Sequence, residues 1–337
     1  MSPTPVSNTP RRKTRRISYL QAISEAQSEE MTRDPDVIIM GEDIEANVFG
    51  TSGGFVDRFG SNRVRNTPIS EAGFTGAAIG AAMTGLRPIV DYTVASFLYI
   101  AMDQLVNQAA KLRYMSGGQT SIPAVFRAAM FYDGAFAAHH SDRPYPMFMN
   151  TPGLKVILPS GPYDVKGLLK SAIRDNDPVL CFEPVGLWNS REIVPPEEYL
   201  IPLGVAEVKR EGTDVTVVAL GATVPEALRA ATSLAEDGVS VEVVDPRTLV
   251  PMDWPTIFES VRKTGRLIVV DAAARTCSAG SEISATVSEE LFDSLSARPV
   301  RLTGPDIQIP FSPPLERGLY PRAADIHEAA MTLIKGS

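Results

Sequence analysis

The chain has 337 residues, more than a single hydrophobic core usually serves, so two domains are expected. Hydrophobic residues make up 44% and charged residues 21%, and the formal charge is -8, an ordinary globular balance that argues against a nucleic-acid surface. Only Cys181 and Cys277 occur, too few for a disulfide framework; three histidines suit a multi-histidine metal centre poorly, and no apolar run is long enough to span a bilayer.

Residues 1–16 are rich in Ser, Thr and Pro and end in Arg11-Arg12-Lys13-Thr14-Arg15-Arg16. No apolar stretch follows these charges, so this is not a secretory signal. It reads as a disordered basic tail. An Arg-rich, acid-free start also fits a mitochondrial presequence, although three prolines disfavour the helix that would need. With two cysteines, the expected setting is a reducing one: bacterial cytoplasm in preference to mitochondrial matrix.

From Ser18 the period turns helical, with Tyr19, Leu20, Ile23 and Ala26 on one face. Val37-Ile38-Ile39-Met40 reads as a buried parallel strand whose carboxyl end carries Glu42 and Asp43. A Gly-rich loop runs from Asn47 to Gly60. The stretch from Ala72 to Ala82 is helical in period but lined by Gly and Ala. Each Gly costs a helix about 1 kcal/mol against Ala, so a helix or a ligand must pack very close here. Arg87 to Tyr92 reads as a strand. Leu98 to Met115 reads as one helix with Leu105, Ala109 and Leu112 inward, closed by Ser116-Gly117-Gly118. Ala124 to Arg127 is another strand, and the loop from Asp133 to Pro146 carries His139 and His140.

Leu154–Leu158, a helix around Asp164–Arg174 and Val179–Glu183 form a strand–helix–strand run, which implies a parallel sheet covered on both faces. The prolines of residues 195–203 mark a linker, dividing a first domain at 17–194 from a second at 204–337. In the second, Val215–Leu220, Val239–Val244 and Arg266–Val270 read as strands, with helices at Val224–Glu236 and Trp254–Lys263.

No Walker loop, metalloprotease helix pair or nucleophile elbow occurs. Gly50-Thr51-Ser52-Gly53-Gly54 reads as a flexible surface loop rather than a phosphate cradle. The ordered set of segments is more specific. Gly41-Glu42-Asp43, Asn66-Thr67-Pro68-Ile69-Ser70-Glu71-Ala72-Gly73, Asp103-Gln104 and Ala109-Ala110-Lys111-Leu112-Arg113-Tyr114-Met115-Ser116-Gly117-Gly118-Gln119 come first. His140-Ser141, Pro152-Gly153-Leu154-Lys155-Val156, Phe182-Glu183-Pro184 and Asp245-Pro246-Arg247-Thr248-Leu249-Val250-Pro251-Met252-Asp253 come after them. In this order they resemble the β subunits of the thiamine diphosphate-dependent 2-oxo acid dehydrogenases, over nearly the whole chain after the tail.

The resemblance implies an α/β, transketolase-like fold: a parallel-sheet pyrimidine-binding domain followed by a smaller α/β C-terminal transketolase domain. It implies oxidative decarboxylation of a small 2-oxo acid, with acyl transfer to the lipoyl group of a dihydrolipoyl acyltransferase. It also implies an α₂β₂ heterotetramer whose α subunit holds the diphosphate and magnesium. The residues agree with that division. Thiamine enzymes hold magnesium diphosphate with a Gly-Asp-Gly motif, and this chain has none.

Residue by residue, Glu71 matches the family's cofactor-activating glutamate, which pairs with a ring nitrogen of the aminopyrimidine and so promotes ionisation of the thiazolium carbon. The alternative is an ordinary acid at a helix N-terminus. Phe97 matches the aromatic that stacks on the pyrimidine, with a plain core Phe as the alternative. Glu42 and Ile69 would line the same pocket, Ile69 propping the cofactor in its bent shape. His140 matches the active-site histidine, placed to move protons at the substrate stage, unless it is structural.

Some positions depart from the family. After His140-Ser141 the family has Gln; here Asp142 takes that place and leads into Arg143-Pro144-Tyr145. In the second domain Asp271-Ala272-Ala273 stands for His-Glu-Ala. The segment from Asp142 to Tyr145 is expected to frame a pocket mouth, with Arg143 gripping a substrate carboxylate or making a local salt bridge. These departures leave room for an acetoin-type dehydrogenase, a thiamine-dependent carboligase or a non-catalytic paralogue.

Overall fold

The computed structural model describes residues 15–336. Fourteen strands form three sheets among these residues. The first sheet has seven strands in the order β12-β6-β7-β5-β4-β2-β3: β2 (Val37–Gly41), β3 (Val64–Asn66), β4 (Arg87–Val94), β5 (Val125–Met130), β6 (Lys155–Ile157), β7 (Val179–Pro184) and β12 (Thr248–Val250). All neighbours are parallel except β12, which runs antiparallel to β6. β2, β5 and β7 are buried at every position, which explains their unbroken apolar runs.

The second sheet has the order β14-β13-β10-β11-β9, from β9 (Glu207–Arg210), β10 (Val215–Ala219), β11 (Val241–Asp245), β13 (Leu267–Ala274) and β14 (Val300–Gly304). The helix at Val224–Glu236 falls where its period places it. Beyond Val270 the structure adds helices Ala279–Glu290, Pro313–Arg317 and Ala323–Lys335. One apolar cluster is continuous between the sheets, joining Phe126, Tyr145 and Leu158 to Leu220, Leu249 and Ala273. Among the described residues no helix is long and apolar enough to cross a membrane.

Three expectations change. First, Leu98–Met115 is not one helix. A 3-10 segment covers Ala95–Ala101, a π turn covers Gln104–Ala109, and only Leu112–Met115 is α. The Ala110 N–H reaches back five residues to the Leu105 carbonyl at 3.0 Å, the bond that defines a π turn. Leu105 and Ala109 are buried as expected, while Leu112 is only partly so. Second, Arg15 and Arg16, the last residues of the expected tail, stand in β1 (Arg15–Ser18), which pairs antiparallel with β8 (Arg191–Val194). Residues 1–14 lie outside the described residues. Third, β12 belongs to the second domain by sequence but completes the sheet of the first.

Candidate active site

β5, β4, β2 and β3 are adjacent and parallel, so their carboxyl ends line one edge of the sheet. Each is followed by one of the residues singled out from sequence. Glu42 follows β2, Ile69 and Glu71 follow β3, Phe97 follows β4 and His140 follows β5. Ligands of open parallel sheets bind in the crevice at this end. The strands are held very close: a Cβ on Gly41 would lie 2.3 Å from the Asp91 carbonyl oxygen.

Glu71 opens the helix Glu71–Met83 and is 4% exposed. Four residues on, the Thr75 hydroxyl donates to the Glu71 carbonyl oxygen. That uses the Thr75 proton, so the buried Tyr92 hydroxyl donates to Thr75 in turn. Burial, and then the negative charge of Glu71, raise the Tyr92 hydroxyl above its ordinary value despite the Thr75 bond. This chain under Glu71 was not visible in the sequence; the only signal is a Thr four residues after the acid.

Glu42 lies in the field of Glu71. Its carboxyl is pushed up by burial first, then by the charge of Glu71, then by Asp43. Its Oε1 is buried and has no hydrogen-bond partner. A buried acceptor left alone costs about 1–3 kcal/mol. Such an oxygen beside a second carboxyl suits a ligand bearing ring nitrogens and an amino group. The donor set therefore fits the aminopyrimidine of thiamine.

Phe97 is half-buried in the 3-10 segment after β4. The His140 ring meets it edge-on, centroids 5.9 Å apart and planes at 79°. His140 itself is exposed on the short turn Ala138–His140. Ile69 is 83% exposed. The structure thus brings Glu42 to Glu71 and Phe97 to His140. The buried Ser96 hydroxyl beside Phe97 has no partner. Ile100, 60% exposed, and Tyr114, 88% exposed, lie open on the segments that follow Phe97.

Of the segment expected to frame a pocket mouth, Asp142, Arg143 and Pro144 line a cleft, while Tyr145 turns into the core. Tyr145 is buried, and its hydroxyl donates to Asp271. Two of the departures noted in the sequence are therefore one interaction across the domains. Arg143 donates to the carbonyls of Ser141 and Phe131, and its guanidinium stacks on Tyr320 at 4.4 Å and Tyr132 at 5.3 Å. A cleft of about 1400 Å³ opens beside these residues, from Tyr99, Ser141 and Asp142 to Cys277 and Ile307. It adjoins the four-strand edge rather than covering it. Among the described residues no group of His, Cys, Asp or Glu is placed to hold a metal ion.

Comparison with known proteins agrees with this geometry. The family model for the transketolase pyrimidine binding domain matches residues 15–190, and that for the transketolase C-terminal domain matches 204–326. The β subunit of acetoin:2,6-dichlorophenolindophenol oxidoreductase from Cupriavidus necator is 45% identical, covering 96% of this chain and 98% of that one. The 2-oxoisovalerate dehydrogenase β subunit of Bacillus subtilis is 43% identical over 89% and 93%, and the pyruvate dehydrogenase E1 β subunit of Staphylococcus epidermidis 41% over 95% and 99%. A solved split-gene transketolase, described as an inactive β4 tetramer, superposes with a TM-score of 0.77 at 25% identity, covering 95% and 98%. The chain belongs to the transketolase-like family, among the β subunits of the 2-oxo acid and acetoin dehydrogenases.

Proposed function

We propose that this chain is the β half of an enzyme that binds thiamine diphosphate between itself and an α subunit and oxidatively decarboxylates a 2-oxo acid, passing the acyl group to a lipoylated acyltransferase. The observation that carries the reading is the carboxylate pair Glu42 and Glu71, with one buried oxygen unmatched, at the carboxyl edge of the sheet. When bound, the cofactor supplies the carbanion equivalent that attacks the substrate carbonyl. Glu71 would hold a proton at the aminopyrimidine ring nitrogen, and Glu42 would accept from the same ring. Phe97 would offer its face to the pyrimidine, and Ile69 would support the bent cofactor from below. His140, set on Phe97, would move protons at the substrate carbonyl.

The α subunit would supply the diphosphate and magnesium ligands, since no Gly-Asp-Gly occurs here. An α₂β₂ assembly is supported by the open small-residue face of helix Glu71–Met83 and by exposed Ile69, Met83, Ile100 and Tyr114 beside it. Two free thiols, Cys181 and Cys277, suit a reducing cytoplasm. Retained Glu71 and His140 weigh against a non-catalytic paralogue.

A second reading, acetoin as substrate on the same half-site, has its own support: relatives from C. necator and B. subtilis, at 45% and 44% identity, carry that activity in their names. The assembled enzyme tests both. Glu71→Gln preserves size but cannot carry the proton, so turnover should fall by about 10²–10⁴-fold and thiazolium proton exchange with it. Exchange at the wild-type rate removes Glu71 from this role. A panel of 2-oxo acids against acetoin, compared by kcat/KM, decides between the substrates.

A further inference from the structure

We propose that Glu316, in the second domain, is a positioning residue for His140: its carboxylate holds the loop after β5 in the shape that sets the imidazole against Phe97. The inference rests on the role given to His140 above.

The loop is strained. Asp133, Ala135 and Ala137 all have positive φ, at 59°, 57° and 59°, a region that residues with a Cβ avoid. Such strain persists only where the surroundings impose it. The turn that carries His140, Ala138–His140, has no buried residue of its own. Its place must therefore be set by anchors outside it.

Glu316 supplies the main one. It is 1% exposed on the short helix Pro313–Arg317. The Asp133 N–H donates to its Oε1 at 3.0 Å and the Ala135 N–H to its Oε2 at 2.7 Å. The Asp133 and Ala135 N–H groups thus converge on one point, and backbone N–H groups so gathered bind an anion. Here the anion is the protein's own carboxylate. Tyr320 donates a third bond to Oε1 at 3.2 Å.

The loop's shoulders are gripped by the same stretch of chain. Tyr132 stacks on Tyr320, centroids 4.2 Å apart, and Arg322 donates to Asp133 Oδ2 at 2.9 Å. On the far side, Arg143 lies over both tyrosine rings. Ala135, which Glu316 holds, is five residues before His140. Thus the second domain, which contributes none of the five residues at the sheet edge, determines where one of them stands.

The test uses the full chain assembled with its α subunit. Glu316→Gln keeps the size but offers one oxygen where two are needed. Expected are amide exchange at Asp133 and Ala135 at least tenfold faster, a kcat at least tenfold lower and a substrate KM within about twofold. Cofactor affinity and thiazolium proton exchange, which depend on Glu71, should not change. Tyr320→Phe, which leaves both N–H bonds in place, should stay near wild type. If E316Q does not assemble, E316D, which retracts the charge by one carbon, should show the same split in smaller measure. The proposal is overturned if amide exchange is unaltered, if the loop loosens with kcat intact, or if thiazolium exchange is lost as well. His140→Ala run alongside separates the two readings. If it leaves turnover whole while E316Q still loosens the loop, the role of His140 fails, and the positioning role with it.

Discussion

The two faces of the first domain are finished in opposite ways. Toward the second domain, most buried charges are engaged by the chain itself. Asp164 lies between Lys209 at 2.6 Å and Arg247 at 3.1 Å, Ser160 donates to Asp245, and Tyr145 donates to Asp271. On the face bearing Glu71, large apolar side chains stand in the open and a buried Glu42 oxygen goes unmatched. One chain folds both. The contrast teaches that the seam is held mainly by the chain's own ion pairs and hydrogen bonds, with the Tyr132 and Ser141 hydroxyls left unmatched, whereas the face bearing Glu71 presents open apolar side chains.

The largest test of that contrast lies in the seam. Arg247→Met removes a cation that serves Asp164, Glu207 and the carbonyls of Val205 and Ala206. Breaking a buried ion pair from one side costs about 3–5 kcal/mol. Denaturant unfolding should record a loss of that order, and a loss under about 1 kcal/mol would mean the seam is not the closed structure described.

A second test is pH. Burial first, and then the charge of Asp164, push the Asp245 carboxyl up to about 7. Because its folded value lies above the unfolded one, the native state binds more protons, and stability falls as pH rises through that interval. Asp245→Asn mimics the neutral acid and can keep the bonds to Ser160 and the Arg247 N–H. It should gain stability at pH 8, by at most about 4 kcal/mol, and nothing at pH 4. Melting temperatures across that range give the sign directly; a gain that is flat with pH would rule out ionisation as its cause.

The smallest expected effect is on the open face. Ile100→Asp should leave the melting of the isolated chain within about 0.5 kcal/mol, since nothing is buried there. Affinity for the α subunit should drop by about tenfold or more, which titration of the two purified chains would read. Unchanged affinity would place the partner elsewhere.

How much of this was legible depends on which physical signal each part leaves. β2, β5 and β7 are buried on both sides, so their apolar runs are visible without any partner strand. The candidate site residues came from resemblance, and the topology brings them to one edge, since each follows one of four adjacent strands. The π turn at Gln104–Ala109 was hidden because one extra residue per turn barely alters the burial pattern over so short a stretch. β1 and β8 are four-residue ribbons of mixed charge that bury only Ile17 and Val194, too little apolar pattern to read as strands. Tyr145 and Asp271 lie 126 residues apart, a separation at which single-sequence pattern is silent.

β12 has a meaning for the chain as it is synthesised. Thr248–Val250 arises in the second domain yet closes the edge of the first sheet along β6. A fragment ending at residue 203 would leave β6 with unpaired N–H and C=O groups, the kind of bare edge along which copies of a protein join into aggregates. The first sheet is therefore complete only with Thr248–Val250 of the second domain in place. A ribosome has to reach Val250, well inside the second domain, before the sheet of the first can be sealed.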